Sequence, residues 1–244
     1  MEPHGDLVGI FDSGVGGFSV LAEIRKGTDA DIFYFGDCAR APYGNKSEKE
    51  IVCCIKEILC KLQIQGVTHF VSACNSMSVH TTTKVLAQMG ISKDIYIDMV
   101  DAFRDIIFPN DAKVLIVGTK ATISSGVYLS ILDEKRILSS VFTPSTLAGD
   151  IEKNDLAAIE ASIFAVLRQA SGFTHIVLAC THYPLVLDVF KKEALQQGWV
   201  GEFVDPALCV ARRVERWNLC GSRKITFETS KETEAFREYS GKSW

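Results

Sequence analysis

The sequence predicts an α/β protein of two pseudosymmetric lobes, each a mainly parallel sheet flanked by helices, with the active site in the cleft between them. Two observations support this prediction. Short runs rich in β-branched and apolar residues alternate with longer stretches of helical periodicity, which is typical of parallel sheets covered on both faces. In addition, a heptapeptide occurs twice in the chain.

The repeat reads Thr-His-Phe-Val-Ser-Ala-Cys at 68–74 and Thr-His-Ile-Val-Leu-Ala-Cys at 174–180. Five of the seven positions are identical, and the copies lie 106 residues apart, close to one small domain. Buried strands resemble one another by composition alone, but composition does not readily place His and Cys at matching ends. We therefore predict one lobe from residues 1–93 plus 206–244, which holds Cys74, and a second from residues 94–205, which holds Cys180.

Each element follows from its local pattern. Apolar and β-branched runs predict strands at Leu7–Phe11, Asp31–Phe35, His69–Ala73, Lys113–Val117 and His175–Ala179. Helical periodicity predicts helices at Ser47–Gln65, Val79–Met89, Asp155–Ala170, Leu185–Gln197 and Ala207–Trp217. Pro184 suits the first turn of the fourth helix.

Composition and charge narrow the function classes. The 244 residues are 47% hydrophobic, enough to fill a core, and the net charge of -4 carries no long basic run. We therefore expect no nucleic-acid or membrane partner. No apolar run approaches the roughly 20 residues that are needed to span a bilayer. Met1–Leu7 holds two acids and no apolar stretch, so this segment does not resemble a signal peptide. We expect a cytoplasmic protein.

The eight cysteines predict reduced thiols rather than disulfides, since they occupy apolar or helical surroundings in a long globular chain. No pair has the C-x-x-C spacing of a zinc or redox site. Cys74 and Cys180 differ from the others because each ends a predicted central strand, where ligands bind in open α/β sheets. A following helix N-terminus should lower the pKa of such a thiol. His182 could exchange a proton nearby.

Two glycine-containing loops complete the candidate site. The segment 11–17 leaves the first strand through a glycine-rich turn that matches neither a dinucleotide nor a P-loop motif. We interpret it as a small-carboxylate cradle in which Asp12 orients an ammonium group and Ser13 binds a carboxylate. In the loop 37–44, Pro42 and Gly44 fix a turn and Tyr43 offers a hydroxyl. A turn that serves only folding would have the same spacing of residues, so both interpretations stay open.

Five segments closely resemble glutamate racemases, in the order of that family: 11–21, 37–44, 74–76, 117–122 and 180–185. The resemblance implies an aspartate/glutamate racemase fold that needs no metal or other cofactor and makes D-glutamate for peptidoglycan. It implies Cys74 and Cys180 as the catalytic pair, assisted by Asp12 and His182. The substrate contacts that it implies are Asp12, Ser13, Pro42, Tyr43, Gly44, Asn75, Ser76, Thr119, Thr181 and His182.

The chain departs from the family pattern at two places. Ser76 and Met77 stand where the family usually has Thr and Ala. The family also tends to carry a glutamate after a Pro-Leu-Val stretch, whereas this chain reads Pro144-Ser145-Thr146-Leu147 and offers Asp150 and Glu152 as the nearest acids.

Three alternatives stay open from the sequence. The substrate could be aspartate or another small acid, or the protein could bind a small carboxylate with weakened catalysis. A metal hydrolase using Cys74, His80, Cys180 and His182 is disfavoured, because six residues separate Cys74 from His80 on a presumed helix. The expected partner is the small-molecule substrate, and a homodimer is the one assembly that we keep open.

Overall fold

A computed structural model describes residues 6–244 as two parallel sheets flanked by helices, which confirms the predicted fold class. Residues 1–5 lie outside the described residues. They belong to the expected first lobe and to the segment Met1–Leu7, which was compared with signal peptides. The strands are β1 (Leu7–Asp12), β2 (Asp31–Gly36), β3 (His69–Ser72), β4 (Tyr96–Asp98), β5 (Lys113–Gly118), β6 (Leu138–Phe142), β7 (His175–Ala179), β8 (Glu202–Val204) and β9 (Ile225–Thr229).

The helices cover both faces of the sheets, where apolar clusters form the cores. They are α1 (Phe18–Gly27), α2 (Glu48–Ile64), α3 (Asn75–Ser78), α4 (Thr83–Gln88), α5 (Met99–Phe103), α6 (Lys120–Ser124), α7 (Val127–Glu134), α8 (Leu147–Glu152), α9 (Leu156–Gln169), α10 (Leu187–Gln197), α11 (Ala207–Glu215) and α12 (Glu234–Ser240). Short 3-10 turns occupy Tyr43–Asn45, Lys93–Ile95 and Tyr183–Val186.

The two sheets have matching strand orders. The first runs β4-β3-β1-β2-β9 and the second, read from its other edge, runs β8-β7-β5-β6, with all neighbours parallel. Strand β3 therefore corresponds to β7, and the strands that precede the two cysteines are topological equivalents. Strand β9 is the one addition to the first sheet.

The repeated Thr-His pair has a structural role at the opposite end of these strands from the cysteines. The Thr68 hydroxyl accepts a hydrogen bond from the backbone N–H of Leu7 at 3.1 Å, and Thr174 does the same for Lys113 at 2.9 Å. In both copies the hydroxyl also contacts Nδ1 of the adjacent histidine. The repeat thus joins β3 to β1 in the first lobe and β7 to β5 in the second.

Three sequence expectations need correction. Strand β4 pairs with β3, so residues 96–98 belong to the first sheet and the boundary expected near residue 93 is wrong. Of the expected helix Val79–Met89, only α4 is helical, because Thr82 caps a helix that begins at Thr83 by accepting from the N–H of Val85; the separate helix α3 ends before Val79. Strand β9 lies in the charged final stretch, where no strand was expected.

Candidate active site

Cys74 and Cys180 line one small cavity at the carboxyl ends of β3 and β7. Both thiols are buried, with 5% of each residue exposed. We call this space the inner cavity. It leaves about 20 Å³ for the centres of water-sized molecules, which is room for about one water. Its lining is Ser13, Pro42, Tyr43, Gly44, Cys74, Asn75, Ser76, Thr119, Ala148, Cys180, Thr181 and His182.

The inner cavity therefore brings together every site residue expected from the sequence except Asp12, and adds Ala148. Asp12 lies directly behind the lining and is fully buried. One of its carboxylate oxygens accepts from the N–H of Gly14 at 2.8 Å, and the other accepts from the Thr181 hydroxyl at 3.2 Å. Burial raises the pKa of Asp12, although His182 and the Gly14 N–H oppose this shift. Asp12 thus connects the two lobes beneath the cavity.

The Cys74 thiol lies 3.6 Å from the Ser13 hydroxyl. Burial and the nearby Asp12 carboxylate raise the pKa of this thiol, although the Met77 N–H and Ser13 oppose the shift. The expectation that a helix end lowers the pKa of Cys74 is therefore wrong, since α3 is only four residues long and desolvation dominates. Burial therefore favours the neutral thiol form of Cys74.

A chain of contacts runs from Cys180 through His182 to Glu152. The Cys180 sulfur lies 3.7 Å from His182 Nδ1, and His182 Nε2 lies 2.7 Å from Glu152 Oε1. Burial alone would lower the pKa of His182, but Cys180 and Glu152 raise it well above its ordinary value. Burial would likewise raise the pKa of Glu152, but His182 holds it below the usual range. Glu152, rather than Asp150, is the acid that supports His182.

The glycine-rich turn after β1 packs directly on the second lobe. A Cβ at Gly16 would lie 2.5 Å from both His182 Nδ1 and Thr181 Oγ1, and one at Gly14 would lie 2.1 Å from Glu152 Oε1. Glycine is required here for close approach, not for an unusual backbone conformation. The amides of this turn do not form a free carboxylate cradle, because Gly14 N–H donates to Asp12 and Val15 N–H donates to Glu152 at 3.1 Å.

Hydrogen bonds fix the remaining polar groups of the lining. The Tyr43 hydroxyl donates to Asp37, whose carboxylate also pairs with Arg40 at 2.6 Å. Ser76 contacts the Thr119 hydroxyl across the cavity at 2.9 Å.

Asn75 is the one lining residue here with a spare donor. Its side-chain oxygen accepts from the Tyr128 hydroxyl, while its buried Nδ2 has no partner among residues 6–244. A buried unpaired amide is costly, so Asn75 is a ready donor for a ligand. Sequence reasoning missed Tyr128 and the part played by Asp37.

Met77 does not project into the cavity. It is fully buried in the apolar core of the first lobe, between the sheet and α2. His80 lies in the break between α3 and α4, outside the inner cavity. Within residues 6–244, no three His, Cys, Asp or Glu side chains are grouped to hold a metal ion. No described helix is both long and apolar enough to cross a membrane.

Comparison with known proteins gives one consistent result. No protein-family model matches the chain. A glutamate racemase from Persephonella marina is 31% identical over 224 residues, which cover 89% of this chain and 86% of that protein. The crystal structure of a glutamate racemase isoform from Bacillus anthracis superimposes with a TM-score of 0.82 at 26% identity, over 96% of this chain and 92% of that one. A Francisella tularensis glutamate racemase solved with D-glutamate gives 0.82 at 25% identity, with the same coverage.

Proposed function

The chain belongs to the glutamate racemase family and is an amino-acid racemase, and we propose that it interconverts L- and D-glutamate through two cysteines without a cofactor. One observation carries the mechanism. Two buried thiols from topologically equivalent strands line the same cavity, one contributed by each lobe. Inversion without a cofactor requires removal of the Cα proton on one face and delivery on the other, which two such thiols supply.

We assign the proton-handling roles from the surroundings of each thiol. Cys74 holds a proton that it can give to one face of Cα, while Cys180, whose sulfur lies 3.7 Å from His182 Nδ1, takes the Cα proton on the other face. The roles reverse for the other enantiomer. Glu152 keeps the imidazole oriented through its 2.7 Å contact with Nε2. Asp12 would meet the substrate ammonium group, because it is a fully buried carboxylate in contact with the lining residue Thr181.

The carbanion formed at Cα needs donors that are already in place. The free Nδ2 of Asn75 meets that need at the inner cavity. The small volume keeps bulk water out of the cavity, which strengthens this interaction. The D-glutamate product would be used in the synthesis of bacterial cell-wall peptidoglycan, and the protein would act in the cytoplasm.

The test is solvent-isotope exchange at Cα. Purified protein in D₂O, with no added cofactor and after chelator treatment, should racemise either enantiomer and wash deuterium into Cα. Cys74→Ser and Cys180→Ser should each lose about 10²–10⁴-fold in turnover, the usual contribution of a positioned acid or base. Cys209→Ser is the matched control, because Cys209 is equally buried at 5% exposure but lies in the core of the first lobe.

Full turnover in either catalytic variant would reject the two-thiol mechanism. Racemisation rates measured for glutamate, aspartate and other small amino acids identify the substrate. Ligand-induced thermal stabilisation without any isotope exchange would instead select the carboxylate-binding alternative. The Glu152 contact with His182 argues against that alternative, since the missing acid was its main support.

A further inference from the structure

A larger space adjoins the inner cavity and has no role in the mechanism above. This outer chamber has a volume of about 560 Å³, within the roughly 300–1,000 Å³ range of small-molecule sites. It shares four lining residues with the inner cavity: Pro42, Gly44, Thr119 and Ala148. The two spaces are therefore neighbours, and only the outer one has room for an amino acid in this structure.

Asp150 lines the outer chamber with an unsatisfied carboxylate. It lies on α8, two residues before Glu152, and only 9% of the residue is exposed. Its Oδ2 atom has no hydrogen-bond partner among residues 6–244, and none of the ion pairs there includes it. A buried carboxylate without a partner is unfavourable, so it favours a cationic ligand.

Tyr183 adds a second unsatisfied group to the same wall. Its side chain is fully buried, and its hydroxyl has no partner among the described residues. Burial and the nearby Cys180 raise the pKa of this hydroxyl, so it remains a hydrogen-bond donor at neutral pH. Tyr183 therefore forms the buried part of the wall between the outer chamber and Cys180.

Two lysines supply positive charge at the chamber. Lys120 begins α6 and Lys153 follows α8, and both are exposed lining residues. Neither takes part in an ion pair among residues 6–244. The chamber therefore combines a site for an ammonium group with cations that suit carboxylates.

We propose that the outer chamber is a first binding site for a free amino dicarboxylic acid, which binds there before it enters the inner cavity. The ammonium group contacts Asp150, and the carboxylates contact Lys120 and Lys153. This inference rests on the proposed function, because it takes glutamate as the ligand. It assigns to Asp150 a role separate from that of Glu152, although both lie on α8.

The first test is Asp150→Asn, which keeps the shape and removes the charge. We expect KM for both enantiomers of glutamate to rise about tenfold, which corresponds to one lost ionic contact, while kcat stays within about twofold. Asp133→Asn, an exposed acid on α7, is the control and should change neither constant. A fall in kcat at constant KM would mean that Asp150 acts through Glu152, and it would overturn the proposal.

The second test replaces Lys120 and Lys153 together by Met. KM should rise, and kcat/KM should become less sensitive to salt, because the variant lacks two positive charges that attract the carboxylates of the substrate. Lys191→Met on α10 is the control for charge alone. Unchanged KM and salt dependence would overturn the proposal, and this variant decides the matter if Asp150→Asn fails to fold.

A binding measurement separates this proposal from the proposed function. Added glutamate should raise the Tm of the wild-type protein more than that of Asp150→Asn. If the wild type shows no isotope exchange but this difference persists, the chamber binds glutamate and the racemase mechanism fails. If exchange occurs but Asp150→Asn shows equal stabilisation and equal KM, the chamber proposal alone fails.

Discussion

His182 is held between a thiol and a carboxylate, and this fixes its charge. Its two ring nitrogens contact Cys180 and Glu152, and the residue is only 5% exposed. The ion pair between His182 and Glu152 stabilises the folded protein while His182 is protonated and Glu152 is ionised. That contribution is lost as pH rises through the raised pKa of His182, and also as pH falls through the lowered pKa of Glu152.

Replacing Glu152 by Gln should lower the pKa of His182, because the imidazolium loses its carboxylate partner. We expect the alkaline limb of the kcat–pH profile to move to lower pH, and kcat to fall by about 10–100-fold, part of what a positioned acid or base provides. The imidazole signals of His182 in an NMR titration measure the shift directly. Glu160→Gln, which breaks the exposed pair with Lys192, is the control. An unmoved alkaline limb would contradict this reading of Glu152.

Among individual residues, the two thiols could be predicted from the sequence, but not all of the side chains that contact the site residues could. Cys74 and Cys180 could be predicted because each ends a copy of the repeat. The choice between Asp150 and Glu152 could not, since both lie on the six-residue helix α8 and only its placement decides which acid faces His182. Tyr128 carries no local signal, because it reaches Asn75 from 53 residues away.

The C-terminal strand and helix support the site from behind. In α12, Phe236 is 2% exposed and packs against Phe18 at 5.5 Å between ring centroids. Phe18 stacks at 4.3 Å on Tyr34, whose hydroxyl donates to the Gly14 carbonyl at 3.0 Å. A Cβ at Gly36 would lie 2.8 Å from the Phe236 ring, directly before Asp37. The charged final stretch, where no strand was expected, therefore supports two loops of the site.

Replacing Phe236 by Ala should lower the free energy of unfolding by about 3–5 kcal/mol, the usual cost of emptying a buried phenylalanine site. Urea unfolding followed by circular dichroism measures the change. Phe164→Ala is the comparison, because Phe164 is 47% exposed on α9 and should cost about 1 kcal/mol or less. Equal effects of the two changes would show that α12 does not form part of the core.

Most long elements could be predicted from periodicity, whereas the short ones could not. Strand β7 matches its expected bounds, and α2 and α9 each begin and end within one residue of theirs. Strands β4 and β8 have three residues each, too few for an apolar pattern to distinguish them from loops. Strand β9 is only partly buried at the sheet edge, so its composition is that of a surface segment.

At the scale of the whole molecule, the chain crosses between the sheets at two places, and an aspartate with a desolvated carboxyl group lies at each. Asp98 ends β4 and caps α5 by accepting from the N–H groups of Val100 and Asp101. Asp205 follows β8 and accepts from the N–H of Ala207 at the start of α11. Burial raises the pKa of each carboxyl to about 6. Both crossings therefore favour the protonated acid more than the unfolded chain does.

The free energy of unfolding should accordingly contain a contribution that falls as pH rises from about 4 to about 7. Asp98→Asn keeps the acceptor oxygen of the cap and removes the charge. We expect this variant to lose part of that slope and to be more stable than wild type by about 1–3 kcal/mol above pH 7, since one pKa unit corresponds to about 1.4 kcal/mol. Urea titrations across this pH range measure it, with the exposed Asp111→Asn as control. A steeper slope in Asp98→Asn would refute the assignment.

The crossings also restrict how the two sheets can move relative to each other. The helices that follow them, α5 and α11, pack together, and Arg213 of α11 pairs with Asp105 just beyond α5 through two contacts of 2.7 and 2.8 Å. Two neighbouring covalent links leave one soft degree of freedom, a rotation about the line through them. Displacement in such a rotation grows with distance from that axis, so the parts of the sheets farthest from α5 and α11 would separate the most.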